Sequence, residues 1–171
     1  KEIKDEISDM VDVTELEEIK VYGGEPLINK EANEFFGKLL KEADVSNLYI
    51  EMSTNCTTKP MPNVLEVFKK CKRLKLNLSI DGYGKLNDFI RRGSTWNQIV
   101  EHMNYFKSLL NSREGETIIV VHSAVSVYNI NLIEELKTFV NNHFPEFLYS
   151  TQVVQYPIFL SIKNLPLEYK E

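Results

Sequence analysis

Apolar and polar positions along this chain follow two periods that alternate. From Lys30 to Asp44, Ala32, Phe35, Phe36, Leu39, Leu40 and Ala43 recur three and four residues apart, which is the spacing of one helix face. Met61 to Lys72, Ser94 to Leu110 and Asn129 to Asn142 repeat that period, and the polar stretch Lys1 to Met10 has it too. Asn29, Ser94 and Asn129 stand where a helix N-cap is expected, and Pro62 suits a first turn. Between these stretches lie short runs of strand character: Glu18 to Gly23, Leu48 to Ser53, Leu74 to Ile80, Thr117 to Val125 and Tyr149 to Tyr156. The order α-βα-βα-βα-βα-β predicts an α/β fold with parallel strands and right-handed crossovers.

An open doubly wound sheet and an incomplete barrel both satisfy that order. In Leu74-Lys75-Leu76-Asn77-Leu78-Ser79-Ile80-Asp81 apolar and polar residues alternate strictly, and Leu48 to Ser53 does the same. A polar face on two consecutive strands suits a wet barrel lumen that holds a polar ligand. The alternative is an edge strand with one solvated face. The expectation is a partial (β/α)6 TIM-like barrel whose first strand is missing. It would occupy 1–157, with 158–171 as an irregular exit segment marked by Pro157 and Pro166.

The bulk composition narrows the function classes. The chain has 171 residues, 43% hydrophobic and 26% charged, with a net charge of −5. A net negative charge without a basic face argues against a nucleic-acid partner. Lys69-Lys70-Cys71-Lys72-Arg73 is the densest basic cluster, and it falls at a helix end, where cations complement the dipole. No apolar run approaches the roughly 20 residues of a membrane span. The two cysteines, Cys56 and Cys71, flank a predicted helix of about 11 residues and roughly 16 Å. That exceeds the disulfide limit of about 7 Å, so two free thiols and a cytoplasmic location are expected.

In parallel α/β folds ligands sit at the carboxyl ends of the strands. There the chain places Gly23-Gly24-Glu25-Pro26, Ser53-Thr54-Asn55-Cys56, Ser79-Ile80-Asp81-Gly82 and Ala124-Val125-Ser126. The glycine pair permits a tight turn and close approach to the backbone, and Glu25 offers a carboxylate to a ligand ammonium. His102 and His143 fall on helices as expected surface residues, and His122 in a core strand. No Ser-His-Asp, phosphate-loop or zinc spacing occurs.

A strand ending in Gly-Gly-Glu-Pro-Leu resembles the second-strand motif of radical SAM enzymes. Met52 to Cys56 is similar to that family's third-strand Thr-Asn-Gly, with Cys56 in place of glycine. Leu78 to Gly82 is similar to its fourth strand, Phe89 to Ser94 to the following loop, and Val125 to Asn129 to its fifth strand. Gln155-Tyr156-Pro157 and Leu165-Pro166 resemble the exit of members with a twitch or SPASM extension.

The resemblance implies that Gly23, Gly24, Glu25 and Pro26 hold the ammonium of S-adenosylmethionine (SAM). Ser53, Asn55 and Arg91 (with Arg92 close behind) would take its carboxylate, Ser79 and Asp81 its ribose, and Val125 would cover adenine. It also implies a 4Fe-4S cluster on a Cys-x3-Cys-x2-Cys loop, reductive cleavage of SAM to a 5′-deoxyadenosyl radical, and hydrogen abstraction from a peptide or small-molecule substrate. The cysteine triplet is absent here. The expectation is therefore a fragment, inactive by itself, whose cluster loop lies upstream. A naturally cluster-less SAM-binding or regulatory module and an unrelated α/β-barrel enzyme are the alternatives.

Overall fold

The computed structural model describes residues 12–166 and Glu168, so the helix expected over Lys1 to Met10 lies outside the described residues. Strand β1 (Glu18–Val21) leads into helix α1 (Lys30–Glu42), then β2 (Tyr49–Thr54), α2 (Pro62–Lys70) and β3 (Arg73–Ser79). Helices α3 (Lys85–Ile90) and α4 (Trp96–Ser112) follow, then β4 (Glu116–Val125), α5 (Ile133–His143) and β5 (Leu148–Val153). The five strands form one all-parallel sheet in the order β1-β2-β3-β4-β5, as expected of a partial barrel, with β1 and β5 at its margins. Glu18 to Val21 pair with Tyr49 to Met52, and Val120 to Val125 with Leu148 to Val153.

Because β2 and β3 are interior strands, the edge-strand account of their polar faces fails. On β3, Leu74, Leu76 and Leu78 are buried while Lys75, Asn77 and Ser79 stay half-exposed. The polar face of β2 is paired rather than solvated. Glu51 is 8% exposed, and its Oε1 lies 2.9 Å from Lys75 Nζ, which raises the lysine pKa through that hydrogen bond.

The described residues group into two compact units, and the chain passes between them more than once. The first takes the chain as far as Thr54, with Thr58–Leu76 and Ser108–Ile118; the second takes Asn55–Thr57, Asn77–Lys107 and everything from Ile119 onward.

In the first unit α1 packs on α2. Asn29 Oδ1 accepts the Ala32 N–H at 2.7 Å, the cap expected from the sequence, and Phe36 and Leu39 are fully buried. The helices approach at Asn33 and Asn63. The Asn63 N–H donates to Asn33 Oδ1 and Asn63 Nδ2 to the Asn33 carbonyl, both at 3.0 Å. A Cβ on Gly37 would lie 2.6 Å from Asn63 Nδ2, so glycine leaves room for the Asn63 side chain in this position.

Arg113 closes the same unit. Its Nε donates to the Phe68 carbonyl at 2.9 Å, and Nη2 donates to the Cys71 carbonyl at the end of α2. Nη1 reaches the Gly115 and Glu116 carbonyls and Thr117 Oγ1 at the start of β4. A cation thus satisfies the open carbonyls of a helix C-terminus and ties them to the next strand.

In the second unit the buried side chains include Leu78 and Ile80, Ile99, Met103 and Phe106 of α4, and Leu136 and Val140 of α5. Two caps differ from expectation. The Gln98 N–H donates to Thr95 Oγ1 at 3.4 Å, whereas Ser94 Oγ turns back to the Arg91 carbonyl at 2.9 Å. Helix α5 begins at Ile133, four residues after Asn129. The short α3 has no counterpart in the sequence-based expectation, since six residues carry too little periodicity to register.

Arg113→Ala should lower the stability of the chain by about 2–3 kcal/mol, because it strips charge-assisted bonds from buried carbonyls. Arg113→Lys should recover only part of that loss, since an ammonium cannot reach both sets of acceptors. Urea midpoints of the three proteins check both expectations.

Candidate functional site

The turn after β1 depends on backbone conformation. Gly23 and Gly24 have φ of 89° and 59°, the left-handed region in which a side chain is costly. Neither would meet an atom within 4 Å if given a Cβ, so it is conformation rather than space that requires glycine here. The turn presents Glu25, which is half-exposed, above the buried Pro26. Thr54, at the end of β2, donates its hydroxyl to Glu25 Oε1 at 2.7 Å, and the Leu27 N–H adds a 3.4 Å contact to the same oxygen. The carboxylate is therefore aimed by its neighbours. Thr54 is 2% exposed and was not among the expected site residues, although it adjoins the half-buried Ser53.

In the second unit, Asn55 Oδ1 accepts the N–H of Thr57 at 2.9 Å and its hydroxyl at 2.5 Å, which closes a tight turn. Cys56 lies in that turn with φ of 60°, fully buried. It occupies the left-handed conformation for which glycine is the usual residue. Helix α4 holds the strained turn. His102 Nδ1 lies 2.9 Å from the Cys56 carbonyl, which can only accept, so Nδ1 carries the proton. Gln98 Nε2 donates to the Thr57 carbonyl at 3.0 Å. His102 is 7% exposed, which corrects the expectation of a surface histidine. His122, expected in the core, is half-exposed and faces Ser150 Oγ at 3.3 Å, and His143 is exposed as expected.

Asp81 organises the ends of β3 and β4. It is 7% exposed. Its Oδ1 accepts the Ala124 N–H at 2.8 Å, and its Oδ2 lies 2.8 Å from Arg91 Nε in an ion pair. Its own carbonyl accepts from Asn129 Nδ2 at 2.7 Å. The same Nδ2 donates to the Ala124 carbonyl at 2.9 Å, while Asn129 Oδ1 accepts the Ser126 N–H at 2.7 Å. Asn129 is fully buried, and the expectation that it caps α5 is corrected: its side chain ties two strand ends together. The buried apolar positions of α5 start only at Ile133.

Beside this network lies a cavity of about 330 Å³, within the range of roughly 300–1,000 Å³ typical of small-molecule sites. Asp81, Ala124 and Ser126 provide its polar and backbone floor. Phe89 and Tyr128, edge to face at 5.8 Å, and Leu160 provide apolar walls, and Arg92 also lines it. The C-terminal segment completes the cavity, since the Val127 N–H donates to the Leu160 carbonyl at 3.0 Å. Of the residues expected here, Asp81 lines the cavity. Arg91 is committed to Asp81, Ser79 lies half-buried at the end of β3, and Val125 is buried while its neighbours Ala124 and Ser126 face the cavity.

A profile described as the Radical SAM superfamily matches residues 1–136. The fold resembles that of Streptococcus suis SuiB bound to S-adenosylmethionine, with a TM-score of 0.57 and 17% identity over 80% of this chain and 29% of that one. SuiB bound to precursor peptide SuiA gives 0.56 and 18% over 87% and 31%. Native anSMEcpe with bound AdoMet and Cp18Cys peptide gives 0.55 and 16% over 93% and 45%. The chain thus spans less than half the length of each of these proteins. Comparison with curated protein sequences gives no match.

Left-handed strain at Cys56 has a measurable consequence. Substituting glycine for alanine ordinarily costs stability, but here Cys56→Gly releases about 1–2 kcal/mol of strain that Cys56→Ala retains. Chemical denaturation should rank Cys56→Gly at least as stable as Cys56→Ala; the opposite ranking would show that the turn is unstrained.

Proposed function

The chain belongs to the radical SAM superfamily, and from that premise we propose that it is the SAM-binding core of an enzyme that generates a 5′-deoxyadenosyl radical. In enzymes of this kind SAM, once reductively cleaved, supplies the radical that takes hydrogen from a substrate. The observation that carries the proposal is the cavity beside Asp81, whose lining matches a nucleoside. Asp81 faces it with a carboxylate held by the Ala124 N–H and Arg91, suited to accept from ribose hydroxyls, with Ser79 nearby in sequence. Phe89, Tyr128 and Leu160 offer an apolar slot for a purine. The other assignments follow the family's motifs. Glu25, oriented by Thr54, takes the ammonium beside Gly23, Gly24 and Pro26. The carboxylate falls to Ser53, Asn55 and an arginine. With Arg91 paired to Asp81, Arg92, which lines the cavity, is the stronger choice.

The residues present do not fit a 4Fe-4S cluster. Such a cluster needs thiolates, and Cys56 and Cys71 are the only cysteines of the chain, both free and buried. Burial pushes the Cys71 thiol up to about 11, which keeps it protonated and unsuited to ligation. Among the described residues no group of three or more His, Cys, Asp or Glu side chains is placed to hold a metal ion. We therefore place the cluster ligands outside these 171 residues, and these residues alone bind SAM without cleaving it.

The peptides named with SuiB and anSMEcpe favour a peptide substrate over a small molecule. The Gln155-Tyr156-Pro157 and Leu165-Pro166 exit favours a member with a twitch or SPASM extension. Two free thiols favour the cytoplasm. No helix of the described residues is long and apolar enough to cross a membrane.

Isothermal titration of the chain with S-adenosylhomocysteine tests the assignment. Binding is expected, and Asp81→Asn should weaken it by about ten-fold, or roughly 1.4 kcal/mol. A folded chain with no measurable heat of binding would contradict it.

A further inference from the structure

A second cavity, of about 310 Å³, adjoins the first on the face of β4 and β5. The two share Ala124 and Val154 in their linings. In the parallel register His122 stands opposite Ser150 and Ala124 opposite Gln152, so alternation places His122 and Ala124 on one face of the sheet with Ser150 and Gln152. His122 Nδ1 lies 3.3 Å from Ser150 Oγ, which turns the imidazole along the strand pair. Gln152, Gln155 and Tyr156 complete the polar lining, and Tyr156 is 79% exposed.

The lining contains no Asp, Glu, Lys or Arg. A charged group held there would meet no counter-charge from the lining, which is open to solvent at Gln152, Gln155 and Tyr156. An amide is matched instead. Each glutamine side chain offers two donor hydrogens and an acceptor oxygen, the imidazole one of each when neutral, and the phenol a donor and an acceptor. A substrate amide can pair its N–H and its C=O at once against such a set. The shared wall consists of a methyl and an isopropyl side chain, so occupants of the two cavities would be separated by little more than those groups.

We propose that this second cavity is a substrate subsite that recognises an uncharged amide, from a peptide backbone or a carboxamide, and holds it beside the nucleoside cavity. The assignment rests on the SAM-binding proposal above, because only a nucleoside next door makes the amide's position useful. His122 and Gln152 are its specificity-determining residues. Neither lines the nucleoside cavity, so they can be altered without touching that cavity's lining.

The test is an NMR titration of the isotopically labelled chain saturated with S-adenosylhomocysteine. Three probes are added separately: N-acetylglycine N-methylamide, acetate and methylammonium. The neutral diamide should shift the side-chain amide signals of Gln152 and Gln155 and the His122 ring signals, while the two ions leave them in place. Gln152→Ala should weaken diamide binding by about five-fold, the loss of one hydrogen bond, and leave S-adenosylhomocysteine binding unchanged. Unmoved signals with the diamide, or equal shifts with acetate or methylammonium, would overturn the subsite while the nucleoside reading stands. Diamide binding to a chain that does not take S-adenosylhomocysteine would remove the nucleoside reading, and the substrate role of this cavity with it. Competition between the diamide and S-adenosylhomocysteine would also overturn the proposal, since it requires both cavities to be filled together.

Discussion

The carboxyl ends of parallel strands are where the sheet's hydrogen-bond ladder runs out, and backbone groups buried there need other partners. In this protein Asp81 and Asn129 supply them at β3 and β4. One carboxylate oxygen takes the Ala124 N–H, and one side-chain amide serves the carbonyls of Asp81 and Ala124 and the N–H of Ser126. Ser123 Oγ adds a bond to the Ile80 carbonyl at 2.5 Å. These bonds tie the ends of β3 and β4 together, so the strand ends hold a defined spacing. The nucleoside-sized cavity depends on that spacing, because its floor is formed by the residues the network fixes. A half-satisfied network of this kind would be worse than an apolar one, since each orphaned buried group costs about 1–3 kcal/mol.

The first unit shows the same economy on a smaller scale. Glu25 is aimed by Thr54, and the α1–α2 approach is fixed by the Asn33–Asn63 pair over Gly37. In the second unit the turn at Cys56 adopts a costly backbone conformation that His102 and Gln98 hold from α4. Strain that is held in place by several neighbours at the end of a strand is the pattern expected of a binding loop. Each of these features positions a residue with side chains that are distant in sequence.

That distance explains what was legible beforehand. Strand and helix order was, because Ala32 to Ala43 and Leu74 to Ile80 carry unmistakable periods of 3.6 and 2. The polar face of β3 pointed correctly to an interior strand with a wet side, as the half-exposed Lys75, Asn77 and Ser79 show. The glycine turn before Glu25 was legible too, since only φ above zero explains two adjacent glycines there. An asparagine ahead of a helix ordinarily caps it, whereas Asn129 takes partners 48, 5 and 3 residues away. His102 departs from the expected surface position for a related reason: its partner Cys56 lies 46 residues earlier. Thr54, Ala124 and Ser126 were visible as strand-end residues, but which of them face a ligand depends on register and twist, which periodicity does not encode.

The central claim is that the pocket beside Asp81 accepts the nucleoside of SAM. A crystal structure of the chain with S-adenosylhomocysteine tests it most directly. The account predicts ribose hydroxyls within hydrogen-bond distance of the Asp81 carboxylate and the purine against Phe89, Tyr128 and Leu160. An adenosyl group bound elsewhere, with that cavity filled only by solvent, would contradict it.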